Sequence, residues 1–220
     1  MTQEAATHFP GVLGHEQVQG HLLRALARKQ LHHALMFVGP KGVGKGTLAT
    51  GLACALLCTT SPGVGCGSCG VCSRVRHRRH PDVTYLEPRG GGRVIKIDDA
   101  RACHVRVASA PYEGAAHLVV IDPADTLNQA SGNALLKAIE EPRPGVFFAL
   151  LTTNLQRVLP TILSRTLPVR IGRLGEFHVG KILTQHAPDV DPGRRETAML
   201  LAEGSAGLAL QLARDPALES

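Results

Sequence analysis

Tryptophan is absent from this 220-residue sequence, and five phenylalanines with two tyrosines bring the aromatics to only 3%. That leaves little for a recognition mode built on stacking nucleobases against rings. Long apolar runs are missing too. None approaches the roughly 20 residues that span a bilayer, so a membrane-embedded chain is excluded. The opening stretch, Met1 to Pro10, has no basic segment followed by an apolar core, so no secretory leader is expected. Hydrophobic residues make up 44% and charged residues 19%, which is the balance of a globular chain and rules out wholesale disorder. The length suits one α/β domain with a small appendage rather than two full-sized domains. Lys and Arg outnumber Asp and Glu by 24 to 18, a net charge of +6 that suits polyanionic partners or a plain solvated surface.

The expected compartment is the cytoplasm, where six cysteines call for a reason other than disulfides. Cys58, Cys66, Cys69 and Cys72 read C-x7-C-x2-C-x2-C. Four thiolates satisfy tetrahedral Zn²⁺, and the two-residue gaps allow a tight knuckle around it. Gly65, Gly67 and Gly70 supply the backbone freedom such a knuckle needs. His77 and His80 are reserve ligands with less compact spacing, while Cys54 and Cys103 read as core. A closed four-sulfur site is structural rather than catalytic. The basic run from Arg74 to His80 either touches nucleic-acid phosphates or forms a solvated face.

Apolar residues at helical spacing predict a helix over 15–29, through Val18, Leu22, Leu23 and Leu26. Ala34 to Val38 is a short buried strand, and Thr47 to Leu57 is an apolar helix. Between them, Gly39-Pro40-Lys41-Gly42-Val43-Gly44-Lys45 fits G-x-x-x-x-G-K. Gly39, Gly42 and Gly44 let backbone N–H groups turn toward phosphate oxygens, and Lys45 reaches the outer phosphates. Strand, glycine loop and helix in that order open a nucleotide-binding α/β unit with ATP or ADP as ligand. The next position should carry a hydroxyl for Mg²⁺, but it is Gly46. Thr47 follows, about 100° further round the helix, and is a poor substitute.

Further strands are expected at Val83 to Leu86, Leu118 to Ile121 and Val146 to Leu151, and further helices at Asp98 to Ala108 and Gln129 to Glu140. Asp122, at the end of a buried strand, suits a Mg²⁺-holding carboxylate. The residue after it is Pro123, where hydrolysing enzymes of this kind often carry a water-polarising Glu. Asp125 is expected to point elsewhere. After Arg173 the pattern is all helical: Phe177 to His186, Glu196 to Ala202 and Leu208 to Ala213.

Taken in this order, the pieces resemble the clamp-loader ATPase family of bacterial DNA polymerase III, within the AAA+ class. The resemblance runs from about Gly14 through Ala209. It is carried by Leu31-His32-His33-Ala34-Leu35-Met36-Phe37 before the phosphate loop and by the four-cysteine insertion after it. Asn133 to Pro142 is close to the family's signature helix, and Thr161-Ile162-Leu163-Ser164-Arg165-Thr166 resembles its Ser-Arg-Cys motif, with Thr166 replacing the cysteine. The fold implied is α/β: an AAA+ P-loop domain with a parallel sheet over residues 1–172. A zinc module lies at about 58–80, and a small helical lid spans 173–220. The family continues beyond Ala209 into a helical collar, which is expected to be absent here.

The resemblance also implies roles. Arg165 becomes an arginine finger, projected into the ATP site of a neighbouring subunit to offset charge on the transferred phosphoryl group. Such fingers contribute roughly 10³–10⁵ in rate in the best-studied switches. Thr153 and Asn154 fall where the family has its first sensor, and Gly204-Ser205-Ala206-Gly207 where it has its second, with Gly207 replacing the motor subunits' Arg. The implied protein is a subunit that supplies its finger and need not hydrolyse ATP, Mg²⁺ being doubtful. Its implied partners are tau/gamma-like motor subunits and a delta-like subunit, in an assembly that loads the sliding clamp onto primed DNA. An active ATPase motor of the same family and a zinc-stabilised nucleic-acid-binding module using Arg74 to Arg79 are the other readings.

Overall fold

The computed structural model describes residues 8–215, so positions 1–7 and 216–220 of the two expected domains lie outside the described residues. Along the chain run α1 (Glu16–Ala27), β1 (Ala34–Val38), α2 (Lys45–Leu57), α3 (Gly70–Arg76), β2 (Val83–Leu86), α4 (Ile97–Ala108), β3 (His117–Ile121), α5 (Gln129–Glu140), β4 (Val146–Thr152), α6 (Pro160–Leu163), β5 (Leu167–Arg170), α7 (Glu176–His186), α8 (Pro192–Leu201) and α9 (Ala206–Arg214). Two 3₁₀ turns, Ala124–Thr126 and Leu155–Arg157, follow β3 and β4.

The five strands form one sheet in the order β2-β3-β4-β1-β5, every pairing parallel. Parallel strands need crossover helices, which cover both faces and demand apolar side chains on each. The period of two divides the strand residues accordingly. Leu35, Phe37, Leu118, Val120, Ala149 and Leu151 pack on one face against α1, α2 and α3. Met36, Val119, Ile121, Phe148 and Leu150 pack on the other with α4, α5 and α6. Phe148 is fully buried there, so its truncation to Ala would cost about 3–5 kcal/mol. A third cluster, including Leu174, Val179, Leu183, Ala198 and Ala209, belongs to the three C-terminal helices.

Four elements differ from expectation, among them α6, a single turn too short to show a period. α3 forms inside the cysteine segment, where glycine content hid it. β5 is the edge strand beside β1 and is too short and too exposed to carry a hydrophobic signal. It tolerates Pro168 because an edge strand need not donate at every position. α8 starts at Pro192, four residues before the expected Glu196, because Asp191 caps it through Arg194 N and proline suits the first turn. The strand order reverses between β4 and β1. In such sheets, ligands sit at the carboxyl ends of the strands near that reversal.

Candidate functional site

The loop from Gly39 to Gly44 leaves β1 at that reversal, and Gly39 N–H donates to Thr152 O at 3.2 Å, tying it to the end of β4. Gly42 (φ 77°) and Gly44 (φ 104°) take the left-handed conformation that the turn requires. Every loop carbonyl has a donor or polar partner. Lys45 Nζ donates to Gly39 O and Pro40 O, both at 2.8 Å. Ser205 Oγ donates to Lys41 O at 3.0 Å, and Gly207 N–H to Gly42 O at 2.9 Å. His15 Nε2 lies 2.7 Å from Val43 O, and Leu48 N–H closes on Gly44 O. With the carbonyls turned outward and satisfied, the N–H groups of Lys41 to Gly44 have no acceptor among the described residues. Such a run of amides at the start of a helix accepts an anion, phosphate above all.

A cavity of about 740 Å³ adjoins this loop. Gly42, Gly44, Lys45, Thr47, Asp122, Asp125 and Thr152 line it, with Val12, Leu174, Ile182 and Leu210 supplying apolar walls. Burial lowers the Lys45 ammonium's pKa, against the pull of Asp122 and Asp125. Burial raises that of Asp122, helped by Glu87. Asp125 corrects the sequence reading: it does not point elsewhere. The 3₁₀ turn after β3 brings it to the end of β4, where it accepts a 2.9 Å hydrogen bond from Thr152 Oγ1. Asn154 is not among the cavity residues. Its side-chain oxygen accepts from Gln156 N at 2.9 Å and caps the turn after β4. His15 and Thr152 were not singled out from sequence. The G-x-x-x-x-G-K pattern names only the loop, and both reach it from other elements.

Gly46 also borders the cavity, and a Cβ built there meets nothing within 4 Å. Its lack of a hydroxyl is therefore not forced by crowding. Gly207 is the opposite case, since a Cβ there would lie 2.9 Å from Gly42 Cα.

On the α1–α3 side, the sulfurs of Cys58, Cys66, Cys69 and Cys72 all lie within 4.8 Å of one another. Cys58 and Cys69 are 3.8 Å apart, and Cys66 and Cys72 are 4.0 Å apart. Four ligands at a Zn–S distance of about 2.3 Å would stand roughly 3.8 Å from each other, so the set fits the ion. Cys69 N–H points at Cys66 Sγ, Cys72 N–H at Cys69 Sγ and Ser61 N–H at Cys58 Sγ. Backbone donors from Ser68 and Cys69 lower the Cys66 thiol to about 5, which favours the ligating thiolate. The reserve histidines are engaged elsewhere. His77 Nδ1 is 2.8 Å from Ser73 O, and buried His80 accepts from Asp82 N and faces Glu113. Cys54 and Cys103 are buried, and desolvation pushes Cys103 up to about 12.

Two of the four arginines in the basic run are paired within the chain. Arg74 pairs with Glu113 at 2.7 Å, and Arg78 pairs with Glu87 while lying over the Tyr85 ring. Only Arg76, His77 and Arg79 of that run face solvent without a carboxylate partner among the described residues.

Arg165 stands apart from the cavity, just after α6. Its Nη1 donates to Thr161 O and Ser164 Oγ at 3.0 and 3.2 Å, and its Nη2 pairs with Glu140 at 3.2 Å. The structure thus brings together the loop, Thr47, Asp122 and Asp125 in one cleft and the four cysteines in a second cluster. Arg165 and Asn154 belong to neither.

Comparison with known proteins bears on both groups. The family model described as DNA polymerase III, delta subunit, matches residues 14–175. DNA polymerase III subunit delta' of Pseudomonas aeruginosa is 36% identical over 136 residues, 61% of this chain and 42% of that protein. Subunit tau of Escherichia coli is 35% identical over 196 residues, 89% of this chain and 28% of that one. The chain therefore spans well under half the length of these relatives. Among solved structures, the Thermotoga maritima RuvB Holliday junction branch migration motor superposes with a TM-score of 0.63 at 19% identity, over 96% of this chain and 64% of that one. A gamma-subunit-related protein from the same organism gives 0.57 at 19% identity, over 88% and 57%. These last two likenesses concern the fold, the AAA+ P-loop fold.

Proposed function

The chain belongs to the DNA polymerase III delta-subunit family, and from that premise we propose that it acts as a delta-prime-like clamp-loader subunit. In this reading it binds ATP or ADP, hydrolyses neither at a useful rate, and lends Arg165 to the ATP site of a neighbouring motor subunit. Its partners would be tau/gamma-like motor subunits and a delta-like subunit, and the assembly would load the sliding clamp onto primed DNA in the cytoplasm. The observation that carries the reading is the separation of two features. A phosphate-accepting loop faces one cavity, while the Arg165 guanidinium is held at the surface outside it by Thr161, Ser164 and Glu140. A guanidinium so placed serves a phosphate on another chain, because its own cleft lies elsewhere.

Within the cleft, Gly39, Gly42 and Gly44 would shape the cradle, Lys45 would leave its carbonyl partners for the outer phosphates, and Asp122 would face them. Asn154 fits this set less well, as its side chain caps a turn. Gly46 and Pro123 leave no hydroxyl for Mg²⁺ and no carboxylate next to Asp122, which supports weak hydrolysis. Cys58, Cys66, Cys69 and Cys72 would hold Zn²⁺, whose closed coordination cross-links the segment between α2 and α3. The separate apolar cluster of the C-terminal helices supports a domain boundary near residue 172.

One observation favours a second reading, an active ATPase. Asp125 lines the cleft beside Asp122 and could polarise a water molecule in place of the missing Glu. Steady-state turnover of the purified chain separates the two. A background rate, together with faster DNA-dependent turnover when the chain is added to motor subunits, supports the finger-donating subunit. Rapid hydrolysis by the chain alone, lost in Asp125→Asn, supports the second reading.

A further inference from the structure

A phosphate cradle needs its N–H groups to converge, and they converge only if the intervening carbonyls turn away and find donors of their own. Here the donors come from several elements. Lys45 serves two carbonyls from within the loop, and His15 reaches a third from the start of α1. The two at the loop's apex, Lys41 O and Gly42 O, are served by the C-terminal helices: Ser205 Oγ and Gly207 N–H, at 3.0 and 2.9 Å. The fit is backbone against backbone. A Cβ on Gly207 would lie 2.9 Å from Gly42 Cα, and a Cβ on Gly42 would lie 3.2 Å from both Gly207 Cα and Leu208 N. Neither contact relaxes by turning a long side chain.

We infer that Ser205 and Gly207 are positioning residues for the phosphate loop, so that docking of the C-terminal helices and binding of a polyphosphate are one linked equilibrium. The inference rests on the reading of the cleft as a nucleotide site. It gives Gly207 a positive role. At this position a longer side chain pushes α9 off the loop, whereas glycine lets α9 hold Gly42 directly and keep the cradle formed. Linkage is reciprocal: the ligand that needs the cradle must in turn hold α9 against the loop.

Two substitutions separate this contact from the stability of α9 itself. Gly207 does not take a positive φ, so Gly207→Ala is compatible with the helix and improves its intrinsic propensity while breaking the fit. Ser205→Gly removes the donor to Lys41 O, and glycine costs only a few tenths of a kcal/mol as a helix cap. ATP and inorganic pyrophosphate binding to the full zinc-loaded chain is measured by calorimetry, with thermal melting as the folding control. We expect Gly207→Ala to weaken both about tenfold or more and Ser205→Gly about two- to tenfold, with each chain still folded and melting within a few degrees of the parent. Hydrogen exchange in residues 206–212 should slow when ATP binds the parent chain and respond less in Gly207→Ala. A folded Gly207→Ala chain that binds both ligands as tightly as the parent overturns the inference. Should the parent bind neither ligand, the nucleotide reading fails instead, and exchange without ligand decides. Faster exchange of 206–212 in Gly207→Ala then still supports the clamp, and equal or slower exchange removes it.

Discussion

Gly46 occupies the position after the loop lysine, with open space where a side chain would go. The account therefore predicts that Gly46→Ser folds normally and supplies the hydroxyl that a phosphate-bound Mg²⁺ needs. ATP affinity should be insensitive to Mg²⁺ in the parent and become Mg²⁺-dependent in the variant by about tenfold, measured by calorimetry with and without the ion. An unchanged Mg²⁺ response would mean that the metal deficit lies elsewhere in the cleft. At this scale the sequence was informative where one residue type has one job. Lys45 and the loop glycines were legible because only glycine gives the turn and only a cation reaches outer phosphates. Asp125 was not, because four residues after a strand end its direction depends on whether the chain turns as 3₁₀ or α. Nor was His15, whose partner Val43 is 28 residues away.

The cysteine module is an element with a small apolar share of the core. α3 has seven residues, of which Cys72 and Val75 are buried. Isolated helices of that length are not stable, so α3 depends on its packing against the core and, in the proposed role, on cross-linking by a metal. The chain purified without chelator should carry about one zinc, and removing it should lower the melting temperature by several degrees and release α3 to rapid hydrogen exchange. Cys66→Ser should do the same without chelator. Full thermal stability of a metal-free chain would contradict the assignment. The four-cysteine spacing announced this element, yet the helix within it did not show, because glycine and arginine mask periodicity over so few residues. The long buried strands and α5 were read closely, since their apolar runs and the stop at Pro142 are strong signals. β5 failed for the converse reason: an exposed edge strand has no hydrophobic face to read.

Across the whole molecule, three histidines are held neutral by burial. Burial pushes His117, His80 and His33 below the ordinary imidazole range, His117 sitting 3.0 Å from Thr84 Oγ1 and His80 beside Asp82. The unfolded chain protonates these groups near their ordinary value of about 6.5, and the folded chain only at lower pH. Their contribution to stability is thus complete above about pH 6.5 and is lost as pH falls through the folded values. The melting temperature of the zinc-loaded chain should drop between pH 7.5 and pH 5, and His117→Gln should make that drop shallower. A flat profile in the parent would show that these sites stay open to water. The order of strand, glycine loop and helix announced a nucleotide-binding α/β unit, and the family resemblance implied its parallel sheet; the strand order, with β5 beyond β1, was not legible. Nor was how α9 meets the loop, since it depends on a contact between Gly42 and Gly207, 165 positions apart.

In the proposed role this chain serves a neighbour's chemistry through Arg165 and not its own through Lys45. The most direct measurement is DNA- and clamp-stimulated ATP turnover by tau/gamma-type motor subunits assembled with this chain, comparing the parent, Arg165→Ala and Lys45→Ala. The account predicts that Arg165→Ala lowers turnover of the assembly at least about tenfold while assembly persists, and that Lys45→Ala leaves turnover nearly unchanged. Loss of turnover in Lys45→Ala with none in Arg165→Ala would contradict it and make this chain a motor.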